Sequence, residues 1–330
     1  MEIVLANHSS YPRVGAGREQ QRLRRAYAQR ERGEISAEAF NQVQDSLVAE
    51  VIEEQAGAGC ALLTDGQIRW YDPISHVAAK LAHVEINGLL RYFDTNFYFR
   101  QPVITAKVER RDPLIVEEFR SAKKIAPRPI KPVLTGPYTL ASSSIRQASM
   151  YGNLGRLVMD FSRALAQEVS MLAAAGAEVI QVEEPAILRH AHDLPLLQQA
   201  LEPLNEARGS ARLALYTYFG DATPVYEALQ ELPVQILGFD FTYAPGLPEK
   251  IAALGTQMRL GLGVIDGRNT RMERPEDVFP VLEKILPHVP GDVVYLNPSC
   301  GLEYLPRNKA VAKLRLMREL KEAFLQGRKG

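Results

Sequence analysis

Eight short apolar runs recur along the 330-residue chain, and they constrain its fold more than any other feature. They lie at residues 2–6, 60–64, 131–135, 178–182, 212–216, 234–239, 258–263 and 292–297. Near-continuous apolar strands imply burial on both faces, which is typical of parallel sheets. Helical patterns between the runs leave room for the long crossover connections that parallel pairing needs. The pattern predicts an α/β protein that forms a single closed (β/α)8 (TIM) barrel.

The segments between these runs support the same fold. Ser36 is placed to cap an amphipathic helix that continues through Glu54, and Gly57 and Gly59 are placed to end it. Residues 154–175 keep a helical period up to the glycine before the fourth run. The tail that starts at Pro306 has the pattern of a last barrel helix. We therefore predict helices between the strands.

One stretch does not fit the alternation of strands and helices. Residues 90–112 are rich in aromatic side chains and include a strand-like run from Val103 to Val108. They lie between the second and third predicted strands, so we expect an inserted arm over the barrel mouth. No linker, repeat or low-complexity segment interrupts the chain, and we expect one domain over residues 1–330.

Composition restricts the partners. Lys plus Arg and Asp plus Glu number 39 each, so no net positive field favours nucleic acid. The amino-terminal residues lack a signal-peptide pattern, and no apolar run is long enough to span a bilayer. Cys60 and Cys300 are the only cysteines, which is too few for a disulfide framework. We expect a cytoplasmic protein that binds small molecules and neither nucleic acid nor membranes.

In barrels of this type the loops after the carboxyl ends of the strands build the active site. The residues at those ends are unusually polar here. They include Ser9, Ser10, Asp65, Gln67, Arg69, Thr135, Thr139, Glu183, Glu184, Tyr216, Tyr218, Asp240, Asp266, Arg268, Asn269, Asn297 and Cys300. Because these ends meet at one mouth, the sequence predicts a polar cavity there.

Each of these residues also has a purely structural interpretation. A lone Cys300 is most often a small buried apolar residue. Glu183 and Glu184 before a proline could start a helix, and Tyr216 and Tyr218 could simply pack. The six histidines show no metal-type spacing apart from His190 and His192, which we do not expect to bind a metal. Co-location at one mouth favours the functional interpretation.

Five loops carry a resemblance to a known family. They read Ser9-Ser10-Tyr11-Pro12, Thr64-Asp65-Gly66-Gln67-Ile68-Arg69, Leu134-Thr135-Gly136-Pro137-Tyr138-Thr139, Ile180-Gln181-Val182-Glu183-Glu184-Pro185 and Asn297-Pro298-Ser299-Cys300-Gly301-Leu302. In this order they resemble the catalytic barrel of cobalamin-independent methionine synthase, in its short single-barrel form. The similarity spans essentially the whole chain.

The resemblance implies a zinc ion at the barrel mouth that binds homocysteine as a thiolate. In that family the ligands are a His-x-Cys pair after strand five, a Glu after strand six and a Cys in the last loop. Carried over, the last two positions are Asp240 and Cys300, and the pair falls on Tyr216 and Tyr218. Neutral tyrosine is a poor zinc ligand, so the expected metal site is incomplete.

The resemblance also implies an amino-acid pocket and a methyl donor. The family's contacts to homocysteine map to Ser10, Gln67 and Glu183, and we add Arg69 and Glu184 beside them as substrate-binding residues. The implied donor is methyltetrahydrofolate or a methylated corrinoid. The histidine of the long synthases has no equivalent in the matching loop, residues 266–269, where the guanidinium of Arg268 suits an anionic group instead. The implied catalytic set is Asp240, Cys300, Tyr216, Tyr218 and Arg268.

Three functions remain open at this point. The first is methyl or other one-carbon transfer to a small thiol such as homocysteine, with a degenerate zinc site. The second is a metal-free enzyme of the superfamily that includes uroporphyrinogen decarboxylase, in which Asp240, Arg69 and Arg268 act by electrostatics and proton transfer. The third is an inactive relative that binds an amino acid or a folate. We favour the first.

Overall fold

A computed structural model describes residues 1–327 and confirms the predicted barrel. Its strands in chain order are β1 (Glu2–Leu5), β2 (Leu81–Arg91), β3 (Tyr98–Arg110), β4 (Val133–Thr135), β5 (Ile145–Arg146), β6 (Val179–Glu183), β7 (Arg212–Thr217), β8 (Ile236–Asp240), β9 (Arg259–Ile265) and β10 (Val293–Pro298). The seven barrel strands are all parallel and lie in the order β1-β10-β9-β8-β7-β6-β4.

The ring closes through the second predicted strand, which is the least regular of the eight. Residues 61–63 lie between β1 and the start of β4 and pair with them only through isolated parallel bridges, Ala6 to Leu62 and Leu63 to Ile130. The amide of Ala61 donates to the carbonyl of Leu5 (2.8 Å), and the amide of Lys131 donates to the carbonyl of Leu63 (2.9 Å). This segment occupies the eighth strand position.

Helices cover the outside of the ring. They are α1 (Arg22–Glu31), α2 (Ala37–Ala58), α3 (Ser75–Ala78), α4 (Val116–Ile125), α5 (Pro137–Ser142), α6 (Leu154–Ala174), α7 (Leu194–Ala207), α8 (Tyr226–Gln230), α9 (Leu247–Leu254), α10 (Pro275–Ile285) and α11 (Arg307–Gly327). Ser36 caps α2 by accepting from the amide of Ala39 (3.2 Å), as predicted. The helix continues past Gly57 and ends at Gly59, whose φ of 106° is left-handed.

The inserted arm is a β-hairpin. Strands β2 and β3 pair antiparallel, and β5 adds to β3 in parallel. The arm starts at Leu81 and not at residue 90, because residues 81–87 already pair with β3. The turn that joins the strands, residues 92–97, lies over the carboxyl ends of the barrel strands, as expected.

Two apolar clusters make up the core. The larger one fills the space between the strands and the surrounding helices. The smaller one lies inside the ring and consists of Ala6, Leu62, Val179, Ala214, Tyr216, Ile236 and Tyr295. This inner cluster forms the floor beneath the polar residues of the mouth. Among residues 1–327, no helix is both long and apolar enough to cross a membrane.

Candidate active site at the barrel mouth

The structure brings most of the predicted site residues together at the mouth. Those that are at most 4% exposed are Ser10, Gln67, Glu183, Glu184, Tyr216, Tyr218, Asp240 and Cys300. Buried polar side chains are costly unless they have partners, so their contacts show how the site is built.

Glu183 is the centre of this group. It ends β6, and the amide of Gln181 two residues earlier, on the same face of the strand, donates to its Oε1 (3.0 Å). The hydroxyl of Tyr218 donates to its Oε2 (2.8 Å). Burial raises the pKa of Glu183, but contacts with His8, Ser9 and Tyr218 outweigh burial and hold this pKa below its usual value. The mouth therefore contains a buried, ionised carboxylate.

His8 is a site residue that the sequence analysis missed. It follows β1 and is 1% exposed, with Nδ1 2.9 Å from Oγ of Ser9 and 3.3 Å from Oε1 of Glu183. Its ring packs edge-on against the rings of Tyr216 and Tyr218, with centroids 5.1 and 5.3 Å away. Its position directly after the first strand could have identified it, but the sequence analysis judged the histidines only by their spacing.

Tyr216 turns inward and forms the floor of the site. Its ring lies against Gly238 of β8 and Gly261 of β9, where an added Cβ would overlap the ring. Its hydroxyl lies 3.4 Å from Oδ1 of Asn297. Below it, Nζ of Lys131 is 4.8 Å from the ring centroid. Small residues on two neighbouring strands thus make room for one large ring inside the barrel.

Lys131 was also missed, because it lies in an apolar run and below the mouth. Its ammonium is buried and donates to Oε1 of Gln181, which in turn contacts Glu183. Burial lowers the pKa of Lys131 to about 7, while the charge of Glu183 acts in the opposite direction. A buried amine therefore supports the mouth from underneath.

The tip of the arm covers the mouth. The hydroxyls of Tyr92 and Tyr218 are 3.1 Å apart, and Tyr92 is the donor because the proton of Tyr218 goes to Glu183. The ring of Phe93 lies 5.7 Å from that of Phe219, and Phe97 lies 4.8 Å from Tyr304. The arm therefore closes the site with aromatic side chains.

Arg268 lies at the rim and joins the loop after β9 to the arm. Its Nη1 is 3.3 Å from Oδ1 of Asp94, and it also contacts the hydroxyl of Tyr243. The guanidinium lies 4.9 Å from the centroid of Phe219. Arg268, which the sequence predicts to bind an anionic group, pairs here with the Asp94 carboxylate of the arm.

Asp240 and Cys300 lie on the other side of the mouth. Thr242 donates to Oδ1 of Asp240 through its amide (2.9 Å) and its hydroxyl (2.5 Å), and the amide of Phe219 lies 3.4 Å from Oδ2. Burial raises the pKa of Asp240 to about 6. Burial, followed by the nearby charge of Asp240, raises the pKa of the Cys300 thiol well above its usual value. The thiol is therefore protonated at neutral pH.

These donors do not fit a four-coordinate zinc ion, which takes its ligands from cysteine, histidine and carboxylate groups. In the part of the chain from Met1 to Gly327, no three such side chains come together in a way that could hold a metal. Burial raises the pKa of both Tyr216 and Tyr218, which disfavours a phenolate at either position. Among the described residues, Asp240 and Cys300 therefore have no third ligand with which to hold a metal.

Gln67 has two unusual properties. It is a non-glycine residue with a left-handed φ of 52°, and it follows Gly66, whose φ is 69°. Its Nε2 is buried and has no hydrogen-bond partner among the described residues. Strained backbone and unsatisfied buried donors concentrate at ligand sites. Gln67 is therefore a candidate contact for a bound molecule.

Two predicted substrate residues are engaged in structural contacts instead. Arg69 pairs with Asp45 on the outer helix α2, away from the mouth. Glu184 accepts from the amides of Tyr138 (2.8 Å) and Thr139 (2.7 Å) and from the Thr139 hydroxyl (2.6 Å), so it caps α5. The chain turns at Gly66 and Gln67, where φ is positive, so the side chain of Arg69 points away from the mouth and towards Asp45.

A closed parallel ring with a polar, covered mouth places this chain among the (β/α)8 barrels whose sites lie at the carboxyl ends of the strands. Comparison with known proteins narrows this class. The family described as the cobalamin-independent synthase catalytic domain matches residues 9–323. The chain belongs to this family, and the resemblance of its five loops is confirmed.

Several relatives support this assignment. A methionine synthase of Saccharolobus solfataricus is 33% identical over 311 residues, covering 92% of this chain and 90% of the relative. One of Sulfurisphaera tokodaii is 32% identical, covering 92% and 87%. A B12-independent methionine synthase from Shewanella sp. W3-18-1 in complex with selenomethionine has the same fold. Its TM-score is 0.78 at 19% identity, with 99% of each chain covered.

Proposed function

We propose that this chain is a methyltransferase that binds a small sulfur amino acid of the homocysteine type at the barrel mouth and methylates its sulfur. The observation that carries the proposal is the buried, unpartnered amide of Gln67 in the mouth of a barrel of this family. Its relatives are named methionine synthase, and the Shewanella structure contains selenomethionine, an analogue of methionine, which supports the proposal.

The polar groups of the mouth suit the two charges of an amino acid. Ser10 and Gln67 offer a hydroxyl and an amide that can donate to the α-carboxylate. Glu183 is ionised, and its carboxylate can accept from the α-ammonium in a charge-assisted hydrogen bond. The ring of Tyr216 lies beside His8, and Phe219 contacts Asp240 through its amide, so these apolar rings adjoin the polar groups and suit a thioether or thiol side chain.

Binding measurements test this first step. Calorimetry with L-homocysteine and L-methionine should detect both ligands, and Gln67→Met should weaken both by about tenfold, or about 1.4 kcal/mol. The exposed Gln42→Met on α2 serves as a matched control and should bind as the parent chain does. Failure of the parent chain to bind either amino acid would contradict the proposal.

The methyl donor has a candidate site beside the mouth. A cavity of about 650 Å³ opens between the loops after β1 and β10, and Tyr71, Phe97 and Tyr304 are among its walls. Phe97 packs on Tyr304, whose ring lies 5.6 Å from that of Phe219 at the mouth. Its size and aromatic walls suit a flat heterocycle, as in methyltetrahydrofolate, better than the much larger corrinoid.

Turnover assays distinguish the two donors. We expect methionine to form from homocysteine with methyltetrahydrofolate, and Phe97→Ala should raise the KM for this donor severalfold. Turnover with methylcobalamin alone would assign the donor to the corrinoid class instead. Binding of the amino acids without turnover by either donor would identify a non-catalytic relative.

The metal content gives a separate test. Because the donors at the mouth do not fit a four-coordinate zinc ion, we expect purified untagged protein to contain zinc well below one equivalent. Plasma mass spectrometry measures this directly. Stoichiometric zinc that is lost in Cys300→Ala would show that Asp240 and Cys300 hold a metal with ligands from elsewhere.

A further inference from the structure

We propose that His8 is the general base that removes the proton from the substrate thiol, and that Glu183 holds its imidazole in the required tautomer. This inference rests on the proposed function, because it concerns the chemical step of sulfur methylation. It assigns a role to a histidine that no metal-type spacing marks and that lies at the centre of the mouth.

The geometry fixes the tautomer of His8. Its Nδ1 faces the Glu183 carboxylate (3.3 Å) and the Ser9 oxygen (2.9 Å). Ser9 itself contacts Glu183, so the hydroxyl proton has an acceptor of its own. An ionised carboxylate next to Nδ1 favours a proton on that nitrogen, which leaves the lone pair on Nε2. A carboxylate oriented in this way also stabilises the imidazolium that forms when Nε2 takes a proton.

The surroundings keep the imidazole neutral until it reacts. Burial lowers the pKa of His8, the adjacent Glu183 raises it, and the ammonium of Lys131 lowers it. The rings of Tyr216 and Tyr218 lie edge-on to it, and both hydroxyls have partners of their own. A neutral histidine at neutral pH is in the correct state to accept a proton.

Other groups at the mouth are less suitable as bases. Asp240 is already bound by the amide and hydroxyl of Thr242. The Cys300 thiol is protonated, and Lys131 lies beneath the ring of Tyr216 with its ammonium on Gln181. An alkyl thiol is mostly protonated at neutral pH, so an enzyme whose donors do not fit zinc needs a base.

The step is balanced for an N-methyl donor. Nε2 of His8 takes the proton from the thiol, and the S–H electron pair stays on sulfur. The thiolate attacks the methyl carbon, the new S–C bond forms as the C–N bond breaks, and the nitrogen keeps that electron pair. His8 then gives its proton to the nitrogen and returns to the neutral form. The net change is transfer of methyl to sulfur and of one proton to the donor nitrogen.

The test uses His8→Asn, whose amide can still donate to Glu183 but which has no basic nitrogen. Methyl transfer should fall by about a hundredfold or more in the variant and recover partly as the pH rises towards the pKa of the free thiol. Methionine has a thioether and no thiol proton, so it should bind the parent chain and His8→Asn with affinities within about threefold of each other.

A second variant keeps the inference testable if His8→Asn does not fold. Glu183→Gln removes the charge that raises the pKa of His8, so the acid limb of the kcat/KM profile should move to lower pH. An unchanged pH profile in Glu183→Gln, or a normal rate of methyl transfer in His8→Asn, would overturn the role of His8. If the parent chain binds neither amino acid, the proposed function fails and this inference fails with it.

Discussion

Asp94 at the tip of the arm pairs with Arg268 in the loop after β9, with 3.3 Å between Oδ1 and Nη1. The hydroxyl of Tyr243 also donates to Asp94 (3.0 Å). Burial raises the pKa of Asp94, but Tyr243 and Arg268 outweigh it and hold the pKa below its usual value. The contact therefore persists at neutral pH and weakens only as the pH falls through that lowered value. It fastens the arm over the mouth.

Asp94→Asn should loosen this closure. Because Asp94 is half exposed, solvent screens the ion pair and its contribution is about 1 kcal/mol or less. We expect Cys300 to react with a thiol reagent about three to five times faster in the variant. Mass spectrometry of the labelled peptides measures this rate.

Cys60 provides an internal control. It is buried before the second strand position, away from the arm, and burial raises its pKa to about 12. Its labelling should not change in Asp94→Asn. The variant Asp112→Asn, which breaks an exposed pair with Arg111, should leave both cysteines as in the parent chain. Equal acceleration at both cysteines would indicate general destabilisation and contradict the local role of the arm.

Gly238→Ala should destabilise the barrel, because its Cβ would overlap the ring of Tyr216. Overpacking of this kind costs about 1–3 kcal/mol, measurable by urea denaturation. The double variant Gly238→Ala with Tyr216→Leu should recover part of this loss, since the overlap is gone. Gly57→Ala in α2, where no atom lies within 4 Å, should be neutral or slightly stabilising. If the stability losses of Gly238→Ala and Tyr216→Leu simply add in the double variant, the proposed packing of the Tyr216 ring against Gly238 would be refuted.

Lys131 should make stability depend on pH. Its folded pKa of about 7 lies below the value of an unfolded lysine, about 10.4. Between these values the unfolded chain holds a proton that the folded chain has lost, so stability rises with pH. The free energy of unfolding of the parent chain, relative to Lys131→Met, should rise by up to about 1.4 kcal/mol per pH unit in this window. A flat difference between pH 7 and 10 would contradict this account. The exposed Lys124→Met controls for the lost charge.

The buried pair of Lys313 and Glu273 should anchor the loop that carries Arg268. Lys313 on α11 donates to Oε1 of Glu273 (2.7 Å), and the same oxygen accepts from the amide of Asp266 (2.9 Å). Lys313→Met leaves a buried carboxylate without a cation, which costs about 3–5 kcal/mol. Thermal unfolding measures the loss. Arg315→Met, an exposed change on the same helix, should have little effect, and a similar loss there would argue against the pair.

The barrel was predictable because its strands are buried on both faces. Such strands are apolar nearly throughout, and seven of the eight predicted runs match barrel strands with ends within about two residues, while the second appears as isolated bridges. The same property concealed Lys131 and Gln181, since single polar residues within an apolar run give no periodic signal. Their partners come from the neighbouring strand and from the ring of Tyr216, which only the closed ring brings near.

The mouth was predictable from strand ends, but its contacts were not. Because active sites of such barrels lie at the carboxyl ends of the strands, the sequence pointed to Ser10, Gln67, Glu183 and Cys300, but it did not show which groups they contact. Arg69 was misjudged in direction, because the left-handed backbone at Gly66 and Gln67 turns the chain outward towards Asp45. Tyr92 was outside the rule altogether, since it reaches Tyr218 from an inserted hairpin that lies far from it in the chain.

At one position, the ring is joined only by isolated bridges at Leu62 and Leu63 and not by a regular strand ladder. Directly above it, the chain continues to Gln67, and on the adjoining strand it continues to His8. A ring with ladders of uniform strength would hold every wall of its opening equally rigid. Here the two walls that carry the proposed ligand contacts, Gln67 and His8, border the one junction that is paired through isolated bridges, so a change in the width of the opening there disrupts no regular strand ladder.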